Sequence, residues 1–331
     1  MTLVGQWSRR GDSVVNNPVP LTSNPILIGG DNRSGTTLTS VVLDSHPDLV
    51  VGPELDFTEP RNLGPYVVES AELLLAGDPR VQGPGVETAD PEWYFGVQFV
   101  KQCHRFGVTY QEVRDAVQEV VDDLGTDVVD FDDRCHVLHR VGELRRRQTG
   151  MKRWGIKVQR QMHRVDDFAR LFPQAHFLHV IRDGRDVTAS NITGGQEWAY
   201  KTVEEAAAGW LGVVERPHTV APSGRYLEVR YEDLVGDPRN TLRKVAEFLE
   251  IRWDDALLRH SELPHSLFDN PYDHPSAEAT TRALSTAKVG RHKDELSSDQ
   301  VARFEALAGH ELARLGYPLT MSSAQHEPTS A

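Results

Sequence analysis

Residues 29–40 read Gly-Gly-Asp-Asn-Arg-Ser-Gly-Thr-Thr-Leu-Thr-Ser and stand directly behind the apolar run 25–28, Pro-Ile-Leu-Ile. Gly30 and Gly35 lie five apart, and Thr36 and Thr37 open a helical stretch. A helix N-terminus behind a glycine-rich turn presents unpaired backbone N–H groups and a partial positive charge, so it attracts oxyanions. Gly35 lets the backbone approach such a ligand, and the hydroxyls of Thr36 and Thr37 add donors. In a nucleotide-hydrolysing phosphate loop, a lysine after the second glycine reaches the terminal phosphates and the next hydroxyl holds Mg²⁺. Here Thr36 takes the lysine's place, and the nearest cation is Arg33, inside the loop. That set suits an anion held without triphosphate hydrolysis and without an obligatory metal. A turn that merely joins a strand to a helix would use the same glycines, so the loop alone leaves both readings open.

Other groups invite chemistry less strongly. Cys135, His136 and His139 put two imidazoles three apart on one helical face, but structural zinc needs four ligands and no fourth lies nearby, so no metal is expected. His104 and His163 are reserve candidates for a base. Trp93, Tyr94, Phe95 and Phe99 suit core packing better than an acceptor platform. Arg-Asp-Gly-Arg-Asp at 182–186 reads either as an anion site or as a surface ion-pair network.

A loop of this kind needs a strand before it and a helix after it. Short runs rich in Ile, Val and Leu at 25–29, 153–158, 176–181 and 225–229 predict central parallel strands covered on both faces. Helical patterns separate them, at 36–45, at 163–172 ahead of Pro173, and at 184–192. Another starts with Asp237 as N-cap and Pro238 at the first helical position. A last one, 297–315, has Ser297 or Ser298 as cap and Gly316 as its stop. Strand–helix alternation implies an α/β fold, a P-loop-type doubly wound parallel sheet flanked by helices. The interval 66–150 is helical and charged, with amphipathic stretches at 110–124 and 134–147. It reads as a helical insertion between the first and second core strands, of the kind that covers the crevice at the strands' carboxyl ends. Residues 1–24 read as a flexible arm, 25–318 as a single domain and 319–331 as a disordered tail.

The 331 residues carry 36 Lys+Arg against 49 Asp+Glu, a net charge of −13. That balance excludes nucleic acid as an expected partner, since phosphate backbones need a basic face. An anionic ligand must be captured by a local basic pocket working against the mean field. No stretch approaches the roughly 18 apolar residues of a membrane helix, and the N-terminus shows no apolar signal region. The two cysteines, Cys103 and Cys135, are expected reduced. A cytoplasmic bacterial protein of unreadable oligomeric state is expected.

Residues 33–38, Arg-Ser-Gly-Thr-Thr-Leu, are followed by Leu-Asp-Ser-His-Pro at 43–47 and Gly-Pro-Glu at 52–54. Further on stand Trp-Gly-Ile-Lys-Val-Gln at 154–159, the stretch 171–190, Val-Arg-Tyr-Glu-Asp-Leu at 229–234 and Val-Gly-Arg-His-Lys-Asp-Glu-Leu at 289–296. In this order and spacing, over residues 25–318 apart from the insertion, the chain resembles the 3′-phosphoadenylyl sulfate (PAPS)-dependent sulfotransferases, in particular their bacterial, tyrosylprotein-sulfotransferase-like branch. The resemblance implies sulfuryl transfer from PAPS to a hydroxyl acceptor, with 3′,5′-adenosine bisphosphate (PAP) as product and no metal. It implies that Glu54 is the general base and that Lys157 stabilises the leaving oxygen. Arg33 would reach the transferring group or the 5′-phosphate, beside Ser34, Gly35, Thr36 and Thr37. Arg182 and Ser190 would hold the 3′-phosphate, with Tyr231 near the nucleotide and Lys288 on a covering loop, its register open to Arg291. Asp31-Asn32 departs from the family pattern, and a carboxylate there would repel the donor unless it points outward or pairs with a cation. An arginine that some relatives carry soon after the Ser190 position is absent. A P-loop nucleotide kinase and a non-catalytic nucleotide-binding module remain as alternatives.

Overall fold

The computed structural model describes residues 20–55, 63–82, 91–195, 199–265 and 282–320. The first part runs β1 (Ile26–Gly29), α1 (Thr36–Asp44), β2 (Leu49–Glu54) and four helices, α2 (Leu63–Leu75), α3 (Pro91–Arg105), α4 (Tyr110–Leu124) and α5 (Phe131–Thr149). Then come β3 (Arg153–Gln159), α6 (Val165–Leu171), β4 (His176–Ile181), α7 (Gly184–Gly194), α8 (Val203–Val214) and α9 (Pro217–Val220). The remainder is β5 (Tyr226–Arg230), α10 (Tyr231–Gly236), α11 (Pro238–Phe248), α12 (His292–Glu295) and α13 (Ser298–Arg314).

The five strands form one sheet in the order β2-β3-β1-β4-β5, every neighbouring pair parallel. Successive residues of a strand point to opposite faces, and the core divides accordingly. Leu27, Val50, Trp154, Ile156, Val158 and Phe177 pack with the insertion helices and α6. Ile26, Ile28, Leu49, Val51, Leu178 and Val180 pack on the other face with Val42 and Leu43 of α1 and Leu242 and Val245 of α11. Burial on both faces is what the unbroken apolar runs of β1, β3 and β4 demand, and the expected doubly wound α/β sheet is observed. The run 225–229, expected to be central, is instead the other edge, β5, and mostly half-buried.

A second expectation is corrected. The sequence suggests four core strands, with the insertion following the first. The fifth strand, β2, was hidden because Gly52-Pro53 interrupts the apolar run 49–51. Proline has no N–H for a ladder and belongs on sheet edges. β2 is such an edge, and its register with β3 slips between Val51 and Glu54. The insertion therefore follows β2, and Glu54 is the last residue of that strand.

Within the insertion, Thr109 and Glu112 form a reciprocal capping box that starts α4. Gly142 lets α5 lie against Trp154 of β3, since a Cβ there would stand 2.4 Å from the indole. The helix expected over 163–172 is a 3₁₀ turn (Arg160–Arg164) running into α6. The caps at Asp237 and Ser297 are observed, and Gly316 ends the last helix with φ 77°. Most of the expected arm and tail lies outside the described residues. The part nearest the domain is tied down: Leu21 is buried and its N–H donates to the Leu171 carbonyl at 2.7 Å. No described helix is long and apolar enough to cross a membrane.

Candidate active site

A doubly wound sheet collects ligands at the carboxyl ends of its strands, beside the strand where the order reverses. Here that strand is β1, and each of the five strands delivers a candidate residue to this edge. The loop 30–35 follows β1, Glu54 ends β2, Lys157 lies near the end of β3, Arg182 follows β4 and Tyr231 follows β5.

The loop turns through positive φ at Gly30 (152°), Arg33 (69°) and Gly35 (101°). Gly35 lies flat against Tyr231, where an added Cβ would be 2.7 Å from the ring. No side chain caps α1, so its first N–H groups remain open to an anion. Ser34, Thr36 and Thr37 are all buried.

On one side of the loop stands an acid–base pair. Lys157, 1% exposed, donates from Nζ to Thr37 Oγ1 at 2.8 Å and lies 3.8 Å from Glu54 Oε2. Burial lowers the Lys157 ammonium below the usual lysine range, and Glu54 partly offsets this. Glu54 is only partly buried. Its Oε2 also accepts from Gln159 Nε2 at 2.5 Å, while Gln159 Oε1 accepts from Thr36 Oγ1 at 3.3 Å.

On the other side stand the cations. Arg33 Nε donates to Ser190 Oγ at 3.1 Å, and Arg182 donates to the Arg33 carbonyl at 3.1 Å. Arg182 stacks 4.6 Å over Tyr231, and its buried Nε has no partner among the described residues. Burial lowers the Arg33 guanidinium below its usual range, and repulsion from Arg291 and Arg182 adds to this. Three guanidiniums held this close in a chain of net charge −13 fit an anionic group between them.

Residues 290–292 are pinned to α7. Asp186 accepts from the backbone N–H groups of Gly290 (2.7 Å) and His292 (3.0 Å) and lies 2.5 Å from His292 Nδ1. Arg182 also donates to the Lys288 carbonyl. The Lys288 side chain is exposed, whereas Arg291 reaches across to Thr193 Oγ1 at 3.2 Å. The same guanidinium is paired with Glu295, 2.6 Å away.

Arg-Asp-Gly-Arg-Asp divides between its two readings. Arg182 faces the site, while Arg185 makes a buried network with Asp183 (2.7 Å) and Glu305 (2.5 Å). Asp31 is paired, as its position required: it accepts from Tyr200 at 2.8 Å and lies 3.5 Å from Arg160 Nε. Burial dominates all the same and pushes its carboxyl up to about 6. His104 stacks on Tyr110 with ring centres 4.4 Å apart, and His163 Nδ1 is 2.8 Å from the Arg160 carbonyl. His139 bonds Ser23 at 2.9 Å, and Cys135 and Cys103 are free and buried, their thiols pushed up by desolvation. Phe99 is core, with Trp93 and Phe95 packed against it.

Sequence reasoning missed Gln159, Asp186 and Tyr200. Gln159 adjoins Lys157 in Lys-Val-Gln, and Asp186 closes Arg-Asp-Gly-Arg-Asp, but nothing local marks Tyr200.

Known proteins match the chain along most of its length. Protein-tyrosine sulfotransferase 1 of Danio rerio is 25% identical over 316 residues, covering 92% of this chain and 74% of the relative. Protein-tyrosine sulfotransferase A of Caenorhabditis elegans is 26% identical over 320 residues, covering 94% and 70%. The sulfotransferase domain of the Synechococcus PCC 7002 olefin synthase superposes with a TM-score of 0.54 at 22% identity, over 88% of this chain and 98% of that one. A sulfotransferase domain from the curacin biosynthetic pathway gives 0.52 at 15% identity, over 91% and 100%. These two structures share the fold. The sulfotransferase family model matches residues 25–255, which include the loop, the acid–base pair, Arg182, Ser190 and Tyr231, and the chain belongs to that family.

Proposed function

We propose that the protein transfers a sulfuryl group from PAPS to a hydroxyl acceptor. The observation that carries this reading is the placing of the Glu54–Lys157 pair on one side of the loop and the Arg33–Arg182–Ser190 group on the other. PAPS supplies a sulfuryl group on a phosphate leaving group. Sulfuryl transfer, like phosphoryl transfer, asks the protein for positioning and charge neutralisation more than covalent chemistry. The loop N–H groups with Ser34, Thr36 and Thr37 hold the donor's 5′-phosphate. Arg182, Ser190 and Arg33 hold its 3′-phosphate, because guanidinium forks and a hydroxyl match phosphate oxygens. Arg33, inside the loop, serves the transferring group as well. Tyr231 backs Arg182, and Arg291, ahead of Lys288, closes the covering loop with a positive charge.

Lys157 neutralises charge at the bridging oxygen, and its buried ammonium costs no reorganisation when that charge develops. Glu54 takes the acceptor's proton onto a carboxylate oxygen. No metal ligand is needed in this scheme. The acceptor is a neutral or weakly charged hydroxyl compound, such as a small molecule, lipid, glycan or secondary metabolite, because a surface of net charge −13 repels polyanions.

Glu54→Gln tests the base. Turnover, followed as PAP released from PAPS in the presence of an acceptor pool, should fall about 10²–10⁴-fold while calorimetric PAP binding persists. Unchanged turnover removes Glu54 from the mechanism. Mass spectrometry of the same pool should show one SO₃ added to the true acceptor.

A further inference from the structure

We infer that Gln159 is a positioning residue, its side-chain amide locking the Glu54 carboxylate to the phosphate loop. This rests on the reading of Glu54 as the base.

Three observations support it. First, the amide is used at both ends: Nε2 donates to Glu54 Oε2 at 2.5 Å, and Oε1 accepts from Thr36 Oγ1 at 3.3 Å. A carboxylate only accepts, so Glu54 dictates that the NH₂ end face it, and the carbonyl end then faces the loop hydroxyl. Second, this bridge closes a ring. Glu54 lies near Lys157, Lys157 donates to Thr37, Thr37 adjoins Thr36, and Thr36 returns to Glu54 through Gln159. Glu54 Oε2 is thereby linked to both loop hydroxyls, through Lys157 to Thr37 and through Gln159 to Thr36. Third, the backbone of Gln159 is strained. It has φ 46° and ψ −129°, a conformation natural to glycine, yet the position carries a long polar side chain. The strain is concentrated where β1 and β3 slip register, and there the Gln159 carbonyl accepts from Gly30 N–H at 3.0 Å. A residue needed only for that turn would be served better by glycine.

Among the described residues, Lys157 is the charged group within ion-pair reach of Glu54. Loss of the Gln159 side chain removes the amide that ties Glu54 Oε2 to Thr36.

Gln159→Gly separates side chain from backbone. It keeps the turn and relieves the φ strain, so the melting temperature should stay at or above that of the wild type. kcat should still fall roughly 10–10²-fold, the scale of losing sub-ångström placement, with PAP affinity within about threefold. Undiminished kcat in Gln159→Gly, or losses that only track a fallen melting temperature or a fallen PAP affinity, would overturn the inference. Glu54→Gln, run alongside, tells the two failures apart. If it stays active, the base reading falls and takes Gln159's role with it. If it is dead while Gln159→Gly is fully active, only the positioning role falls.

Discussion

At the scale of single residues, the site holds charge at a cost in stability. Asp31 is 1% exposed, its Oδ2 has no partner among the described residues, and its carboxyl is pushed up from 3.8 to about 6. An acid whose folded pKa lies above its unfolded value binds more protons in the native state between the two. Stability therefore falls as pH rises from about 4 to about 6, and the full penalty applies above that window. Two pH units correspond to about 3 kcal/mol. Asp31→Asn keeps an acceptor for Tyr200, and Arg160 is exposed enough to remain hydrated. Denaturant melts should find this variant stabilised by up to about 3 kcal/mol at pH 7.5 and matched to wild type at pH 4. A constant difference across pH would show that Asp31 does not titrate in this window. Near the donor loop, such a penalty is consistent with strain concentrated at functional sites.

At the scale of elements, the β1–α1 turn depends on one close approach. Gly35 has φ 101° and faces the Tyr231 ring. Gly35→Ala should cost about 1–3 kcal/mol through backbone strain and overpacking. The added methyl would also push Tyr231 away from Arg182, so PAP binding should weaken beyond what the melting temperature accounts for. Calorimetry at a temperature where the variant is folded checks this, and unchanged affinity would mean that Tyr231 packs without serving the nucleotide. β2 illustrates the complementary case. An edge strand tolerates Pro53, and the register slip it accompanies places Glu54 opposite Lys157 across the ladder.

At the scale of the whole molecule, the sheet brings five strand ends together and helices cover both faces, so a ligand that binds there stabilises all of it. PAP at 100 times its Kd should raise stability by about 2.7 kcal/mol, read as an upward shift in melting temperature. EDTA should leave that shift intact, and Arg182→Ala should abolish it, because Arg182 joins β4, the loop carbonyl at Arg33 and the covering loop at Lys288. A shift that needs added Mg²⁺ would instead favour the kinase alternative.

Local signals made much of this legible in sequence. The glycine spacing, the cap residues at Asp237 and Ser297 and the two-sided apolar runs each depend on neighbours within a few residues, which sequence displays directly. Glu54, Lys157, Arg182 and Ser190 stood out through resemblance, and the fold brings them to one edge of the sheet. The partners that tune them were not legible. Gln159 meets Glu54 across 105 positions and Tyr200 meets Asp31 across 169. Whether two such residues touch depends on the strand order β2-β3-β1-β4-β5, on the register slip at Gly29 and on how the 282–292 loop folds back over Asp186. Periodicity and turn chemistry constrain one element at a time, so the amino-acid sequence determined the elements and the chemistry they carry. Only tertiary packing decided which amide meets the Glu54 carboxylate, which carboxylate is buried at a cost, and which arginine reaches Thr193.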